Sequence, residues 1–469
     1  MIKWDMHLPL RPGAPALRRA TTSRLSPSIS ICSQCFYRST LDVRIQSDDR
    51  RSYHTTPPRS SALGAAVAVA KNVVSNAISS RTSKLNNDLM TVDPLRIVAK
   101  EMKFLTGNIR KLLGSGHPSL DRVAKYYTQA EGKHMRPLIV LLMSRATHLC
   151  PKSPIPPQNL REQQTPSYSI PIDTSITPMS VLRDVNPSPA PSPAEIDALA
   201  AETDILPSQR RLAEITELIH TASLLHDDVI DHSVARRGAP SANLEFGNKM
   251  AVLAGDFLLG RASVALARLR NAEVVELLAT VIANLVEGEF MQLKNTAADE
   301  TRPVWSEDAL GYYLNKTYLK TASLISKSCR AAALLGGASQ ESVEAAYAYG
   351  KNLGLAFQLV DDMLDYTRSE QELGKPAGAD LELGLATAPL LFAWRVRPEL
   401  GELVGRKFGG EGDVRRAREL VLETEGIEET RALAEDYAEK AIAALKDFPD
   451  SEAKEGLVEM AVKTIKRRK

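Results

Sequence analysis

Two apolar, helix-compatible stretches of this chain end in the same acidic pattern. Leu218 to Leu225 runs into Asp227-Asp228-Val229-Ile230-Asp231, and Leu353 to Val360 runs into Asp361-Asp362-Met363-Leu364-Asp365. Residues i and i+4 share a helix face, and i+1 is turned by about 100° from i. Each pattern therefore gathers three carboxylates near one spot, where like charges cost roughly a few tenths of a kcal/mol. Helices otherwise suited to burial need a reason to carry that cost. A hard cation supplies one, because Mg²⁺ takes carboxylate oxygens and leaves its remaining positions to water and phosphate.

The chain around these patterns reads as helix. Apolar residues recur at steps of three and four over 95–113 (Leu95, Ile97, Val98, Met102, Leu105, Ile109, Leu112, Leu113), over Val274 to Met291 and over Ile427 to Leu445. No stretch sustains strand alternation bounded by hairpin turns. Aromatics are only 5% of the residues, while 43% of the 469 are hydrophobic, which is ample material for a large core. The expectation is an all-α fold with one large helical domain over 93–469. One segment, 151–207, breaks the pattern with twelve of the chain's 27 prolines and many Ser, Thr and Gln. It cannot be continuous helix and has too little apolar content for a core. It reads as a disordered insertion in a loop between helices expected at Val123–Ala146 and Arg210–Asp231.

Residues 1–60 are of another kind: Arg11, Arg18, Arg19, Arg24, Arg38, Arg44, Arg50, Arg51 and Arg59 stand among many Ser and Thr and few acids. That is the composition of a mitochondrial transit peptide, and Arg51-Ser52-Tyr53-His54-Thr55-Thr56 resembles a matrix-processing site. Residues 61–92 read as a linker. Within it Ala62 to Ile78 are mildly apolar, with Lys71, and could make peripheral contact with a membrane surface. No run of 18 or more apolar residues offers a spanning helix. Cys32 and Cys35 form a CxxC without a second pair, and Cys150 and Cys329 stand alone, so no disulfide framework is expected. A net charge of +2 argues against nucleic acid as a partner.

Several cations lie far from the acids in sequence: Lys133 and Arg136 in Gly132-Lys133-His134-Met135-Arg136-Pro137, Arg236-Arg237-Gly238, Lys316-Thr317, and Gly374-Lys375-Pro376. Each alone is an ordinary solvated charge. Lys and Arg are also the binders of phosphate oxygens. Together with the acids they make sense if two diphosphates share one cavity, one held through metal and the other directly by cations.

In order along the chain, the segments GKHMRP (132–137), ELIHTASLLHDDVIDHSVARRG (217–238), AVLAGDFLLGRA (251–262), EGEFMQ (287–292), KT (316–317), GLAFQLVDDMLD (354–365) and GKPAGADLELGLATAPLLFA (374–393) resemble those of the long-chain trans-polyprenyl diphosphate synthases. The resemblance covers about 93–469 apart from the Pro-rich insertion. It implies an antiparallel helix bundle around a deep central cavity, in a homodimer, with a heteromer as the other arrangement of the family. It implies Mg²⁺, three ions per active site, held by Asp227, Asp228, Asp231, Asp361, Asp362 and Asp365. Arg236, Lys316, Thr317 and Lys375 would contact an allylic diphosphate such as farnesyl or geranylgeranyl diphosphate. Lys133, Arg136, His220 and Arg237 would bind isopentenyl diphosphate, and Gln358 would stand near both. The implied reaction is repeated head-to-tail condensation feeding ubiquinone biosynthesis; the alternative is a non-catalytic subunit of a heteromeric synthase.

The implied chemistry needs no histidine base, since the departing diphosphate can take the proton. His226 and His232, which flank the first acidic pattern, read as supporting residues. Product length is expected to follow from Ala222 and Ser223, five and four residues before Asp227. Both are small where short-chain relatives carry bulky aromatics, so the growing chain should pass at least one further turn, about 5.4 Å.

Overall fold

Leu212, Ile215, Leu218, Ile219, Ala222 and Leu225 recur at helical spacing and are all buried, so the helix they form packs on most of its circumference. The computed structural model describes residues 93–467 except 116, 130–133, 154–203, 237, 295–302 and 368–377. The expected transit peptide, the linker, the interior of the Pro-rich insertion, Cys32 and Cys35, Lys133, Arg237 and Lys375 lie outside the described residues.

The first half comprises α1 (Pro94–Ile97), α2 (Ala99–Leu112), α3 (Pro118–Gln129), α4 (Met135–His148), α5 (Pro207–Ile230), α6 (Ala242–Phe246), α7 (Asn248–Arg268) and α8 (Ala272–Lys294). The second comprises α9 (Glu307–Thr317), a π-helical turn (Tyr318–Ala322), α10 (Ser323–Leu335), α11 (Gln340–Thr367), α12 (Ala379–Glu382), α13 (Ala388–Val396), α14 (Leu400–Gly405), α15 (Asp413–Leu422), α16 (Gly426–Ala444) and α17 (Glu452–Ile465). The only strands among the described residues are the two-residue pair Ala235–Arg236 and Ala239–Pro240.

The all-α expectation holds, with two local corrections. Residues 95–113 are not one helix, because Val98 leaves helical geometry at φ −117° between α1 and α2. The helix expected at Val123–Ala146 is two, α3 and α4. His134 stands left-handed at φ 39° immediately before α4, a conformation no helix continues through.

A large core gathers α2, α4, α5, α7 and α10, and a second one gathers α9, α13, α15 and α16. Helix α11 serves both: Val343, Ala346, Tyr349 and Leu353 lie in the first, and Leu359, Val360, Met363 and Tyr366 in the second. It approaches α10 and the π turn at backbone distance. A Cβ on Gly350 would stand 2.7 Å from Ser326 Cα, and one on Gly354 would stand 2.6 Å from Ala322 Cα. Only glycine fits there. Helix α7 is long and apolar enough to cross a membrane, yet Ala251, Ala254, Leu258, Ala262 and Ala265 are buried in the core beside α5. Cys150 and Cys329 are buried free thiols. The ends of the Pro-rich insertion are pinned: Ser153 N–H donates to Gly337 at 3.0 Å, and Gln209, in the first turn of α5, donates to Ala332 O at 2.8 Å.

Candidate active site

Helix α5 delivers the first acidic pattern at its C-terminal end, and the three carboxylates part company there. Asp227 and Asp231, one turn apart, face α8 and the π turn. Burial pushes Asp227 up to about 7; Lys320 opposes that shift, and Glu289 and Asp231 add to it. Asp231 is raised for the same reasons, burial first. Asp228 turns the other way and is fully buried. Its Oδ1 accepts from Arg236 Nε at 2.7 Å and Nη2 at 2.6 Å, and its Oδ2 accepts a short bond from the Tyr127 hydroxyl. The expected gathering of three acids at one spot thus becomes a pair of acids and one internal ion pair. Arg236, expected at the allylic diphosphate, is the partner of Asp228.

The second pattern, on α11, also divides. Asp362 is buried, accepts from Tyr313 Oη at 2.6 Å and from Gln358 Nε2 at 2.8 Å, and is pushed up to about 6 by burial. Asp365 is buried and accepts from Asp380 N–H at 3.2 Å. Asp361 is partly exposed and pairs with Arg467, just beyond α17, at 2.6 Å. Arg467 also stacks on Phe357, one turn before Asp361, at 4.6 Å from the ring centroid.

The cation that faces the first pattern is Lys320. It lies on the π turn, pairs with Glu289 Oε2 at 2.5 Å and donates to Gln292 at 2.9 Å. Its neighbour Thr321 donates to Gln358 at 2.9 Å, which ties the turn to Asp362. Lys316 and Thr317, the pair expected from sequence, lie one turn earlier. Thr317 is buried. Lys316 stands over the Tyr313 ring at 5.6 Å, beside Asp362, with its ammonium pulled down by burial. Sequence reasoning missed Lys320, Glu289, Tyr127 and Arg467. The repeated Lys-Thr at 320–321, four residues after the first, was the available signal for Lys320.

Arg136 and His220, expected together, do meet: Nη1 of Arg136 lies 2.8 Å from Nε2 of His220. Arginine can only donate, so His220 presents a bare nitrogen there. His226 lies 3.2 Å from Val252 O and 3.5 Å from Asp256, against Gly255, where a Cβ would strike its ring at 2.2 Å. His232 leaves α5 in the left-handed region at φ 51° and is exposed.

Below these charges lies a cavity of about 180 Å³ between α5, α7 and α8. Asp227 and Glu289 stand in its wall with His226, Ile230, Ser223 and Ile219 of α5, the last two one and two turns before Asp227, and Leu259, Ile282, Leu285, Val286, Phe290 and Leu293 complete it. One side is open, because Val286, Phe290 and Leu293 are each more than half exposed. Ser223 lines the cavity as expected. Ala222 does not: it is fully buried in the core, one helical step from the wall.

Among the described residues no three acidic, His or Cys side chains already enclose an ion site. The donor set nevertheless fits a divalent cation that shares its coordination with phosphate. Burial raises the proton affinity of both Asp227 and Asp231, Glu289 adds to each, and Glu289 Oε1 is buried with no hydrogen-bond partner.

Paired acids and a lysine at the head of an apolar groove define an enzyme for anions that carry long apolar tails. Residues 194–421 match the family described as polyprenyl synthetase. The chain is 74% identical over 440 residues to the probable mitochondrial hexaprenyl pyrophosphate synthase of Neurospora crassa, covering 93% of this chain and 96% of the relative. It is 46% identical to the mitochondrial hexaprenyl pyrophosphate synthase of Saccharomyces cerevisiae, covering 86% and 95%. Its fold matches a crystal structure of a polyprenyl synthase from Caulobacter crescentus, complexed with calcium and isoprenyl diphosphate, at a TM-score of 0.63. That match has 31% identity and covers 81% of this chain and 100% of the other. The chain belongs to the polyprenyl synthetase family and is a divalent-metal-dependent prenyltransferase.

Proposed function

We propose that the chain extends an allylic diphosphate, farnesyl or geranylgeranyl diphosphate, by repeated condensation with isopentenyl diphosphate. The product is an all-trans polyprenyl diphosphate of hexaprenyl to decaprenyl length, for the side chain of ubiquinone. The observation that carries this reading is the placing of Asp227, Glu289 and Lys320 at the head of the apolar groove. Work in the mitochondrion is supported by the Arg-rich N-terminal residues and by the relatives named mitochondrial.

Asp227, Asp231 and Asp361 would hold Mg²⁺, three ions per site. When bound, Mg²⁺ supplies positive charge against the diphosphate as its C–O bond breaks. Lys320 and Arg236 would hold the allylic diphosphate directly, and Arg136 with His220 would hold isopentenyl diphosphate. The groove walls keep water from the allylic cation while the double bond of isopentenyl diphosphate attacks it. The proton then lost goes to the released diphosphate, and no protein base is needed. Roles for Lys133, Arg237 and Lys375 rest on the resemblance of their motifs.

The half-exposed Val286, Phe290 and Leu293 favour a homodimer in which a second copy covers the open side of the groove. The test of the whole reading is to incubate the purified chain with farnesyl diphosphate, isopentenyl diphosphate and Mg²⁺ and to chromatograph the products. Long-chain polyprenyl diphosphates are expected. Absence of any elongation by the chain alone would favour a requirement for a partner subunit.

A further inference from the structure

The Tyr127 hydroxyl joins three elements. It comes from α3, donates to Asp228 on α5 and accepts from the backbone N–H of Ala242 at the start of α6, at 2.8 Å. Tyr127 is 3% exposed and Asp228 is not exposed at all. A fully buried carboxylate must have both oxygens answered. Arg236 answers Oδ1 with Nε and Nη2, and Tyr127 answers Oδ2. The two donors from one guanidinium fix its plane. Arg236 sits on a two-residue strand with little else to order it, and 27% of its side chain is exposed. Its remaining N–H groups are therefore available to an anion beside Asp227, whose acidity already responds to Arg236.

We propose that Tyr127 is a positioning residue for Arg236, acting through Asp228. Tyr127 holds Asp228 in the one orientation that fixes the guanidinium at the rim of the diphosphate site, and Asp228 serves as its anchor rather than as a metal ligand. This rests on the proposed function for the identity of the substrate, but the arrangement itself requires only an anion at Arg236.

The test compares wild type with Tyr127→Phe in the full-length chain. Without the hydroxyl, Oδ2 of Asp228 loses its donor, and the carboxylate that orients Arg236 is held on its Oδ1 side only. The KM for farnesyl diphosphate should rise about 3- to 10-fold, the worth of one hydrogen bond, with kcat within about twofold and the KM for isopentenyl diphosphate unchanged. Calorimetry with inorganic pyrophosphate and Mg²⁺ should weaken by the same factor, and Tyr127→Phe should add nothing in an Arg236→Ala background. A lowered thermal midpoint with unchanged KM and unchanged pyrophosphate affinity would mean that Tyr127 only supports the fold, and would overturn the proposal. If Tyr127→Phe does not fold, Tyr127→Phe/Asp228→Asn leaves no buried carboxylate and must show a rise at least as large; a normal KM there overturns it too. If wild type alone fails to elongate farnesyl diphosphate, a partner subunit is required for turnover, while the pyrophosphate titration still decides the role of Tyr127.

Discussion

Arg467 closes on Asp361 at 2.6 Å, across 106 residues of chain, while its guanidinium carbon stands 4.6 Å from the centre of the Phe357 ring. Two contacts on successive turns of α11 seat a tethered cation on the one carboxylate of the second pattern that is partly exposed. A metal ion arriving at Asp361 has to displace it. Arg467→Ala should therefore lower the Mg²⁺ concentration for half-saturation about two- to five-fold, the range of a partly exposed ion pair. Calorimetric titration with Mg²⁺ and pyrophosphate reads this directly. An unchanged half-saturation would show that the arginine and the metal do not compete.

Metal binding should also depend on pH in a definite direction. Asp227 is raised to about 7, so below neutrality it carries a proton that a cation must expel. The half-saturating Mg²⁺ concentration should climb by up to about tenfold per unit as pH falls from 7 to 6, and level off above 8. Asp227→Asn should flatten that climb while weakening binding throughout. A wild-type curve flat between 6 and 8 would contradict the raised Asp227.

Lys320 and Lys316 can be told apart by mutation. Lys320→Ala should cost on the order of 10²-fold in kcat/KM, as for loss of a preorganised charge, and should lower the thermal midpoint by leaving Glu289 buried without its partner. Lys320→Ala/Glu289→Gln should recover the midpoint but not the activity. Lys316→Ala should act more weakly, through Asp362. Equal losses for the two single variants, measured by steady-state kinetics, would argue against this ranking.

Chain length should respond at Ser223 and not at Ala222. Ser223→Phe fills the groove one turn below Asp227 and should give products of about three or four isoprene units, since a packed wall cannot absorb the ring. Ala222→Phe forces a ring into a filled core and should cost about 1–3 kcal/mol or more. Product chromatography and thermal midpoints on the same preparations separate the outcomes; a stable Ala222→Phe enzyme with short products would place Ala222 on the wall after all.

Much of this arrangement was legible because helical periodicity is written in short-range spacing. The two acidic patterns and the buried face of α5 follow from residue types at fixed steps, whereas the pairing of Arg136 with His220, 84 residues apart, was expected only from the resemblance of their motifs. What stayed hidden depends on partners distant in sequence. The turn of about 100° from Asp227 to Asp228 follows from helix geometry, but not that Arg236 and Tyr127 wait there. Two Lys-Thr pairs four residues apart look alike, and only the π turn beside Gly288 and Gly354 singles out Lys320. Nothing local marked Arg467 as a neighbour of Asp361.

The close approach of Gly354 to Ala322 sets how this enzyme can change over evolutionary time. A single methyl at Gly354 would meet backbone, which cannot step aside. It would push the turn bearing Lys320 and Thr321 away from Gln358 and Asp362. The charged head of the site is therefore locked to its scaffold and tolerates few substitutions. The groove below it is walled by side chains with one flank open, where changes in bulk meet little resistance. New product lengths can arise by drift in the walls while the chemistry above them stays fixed.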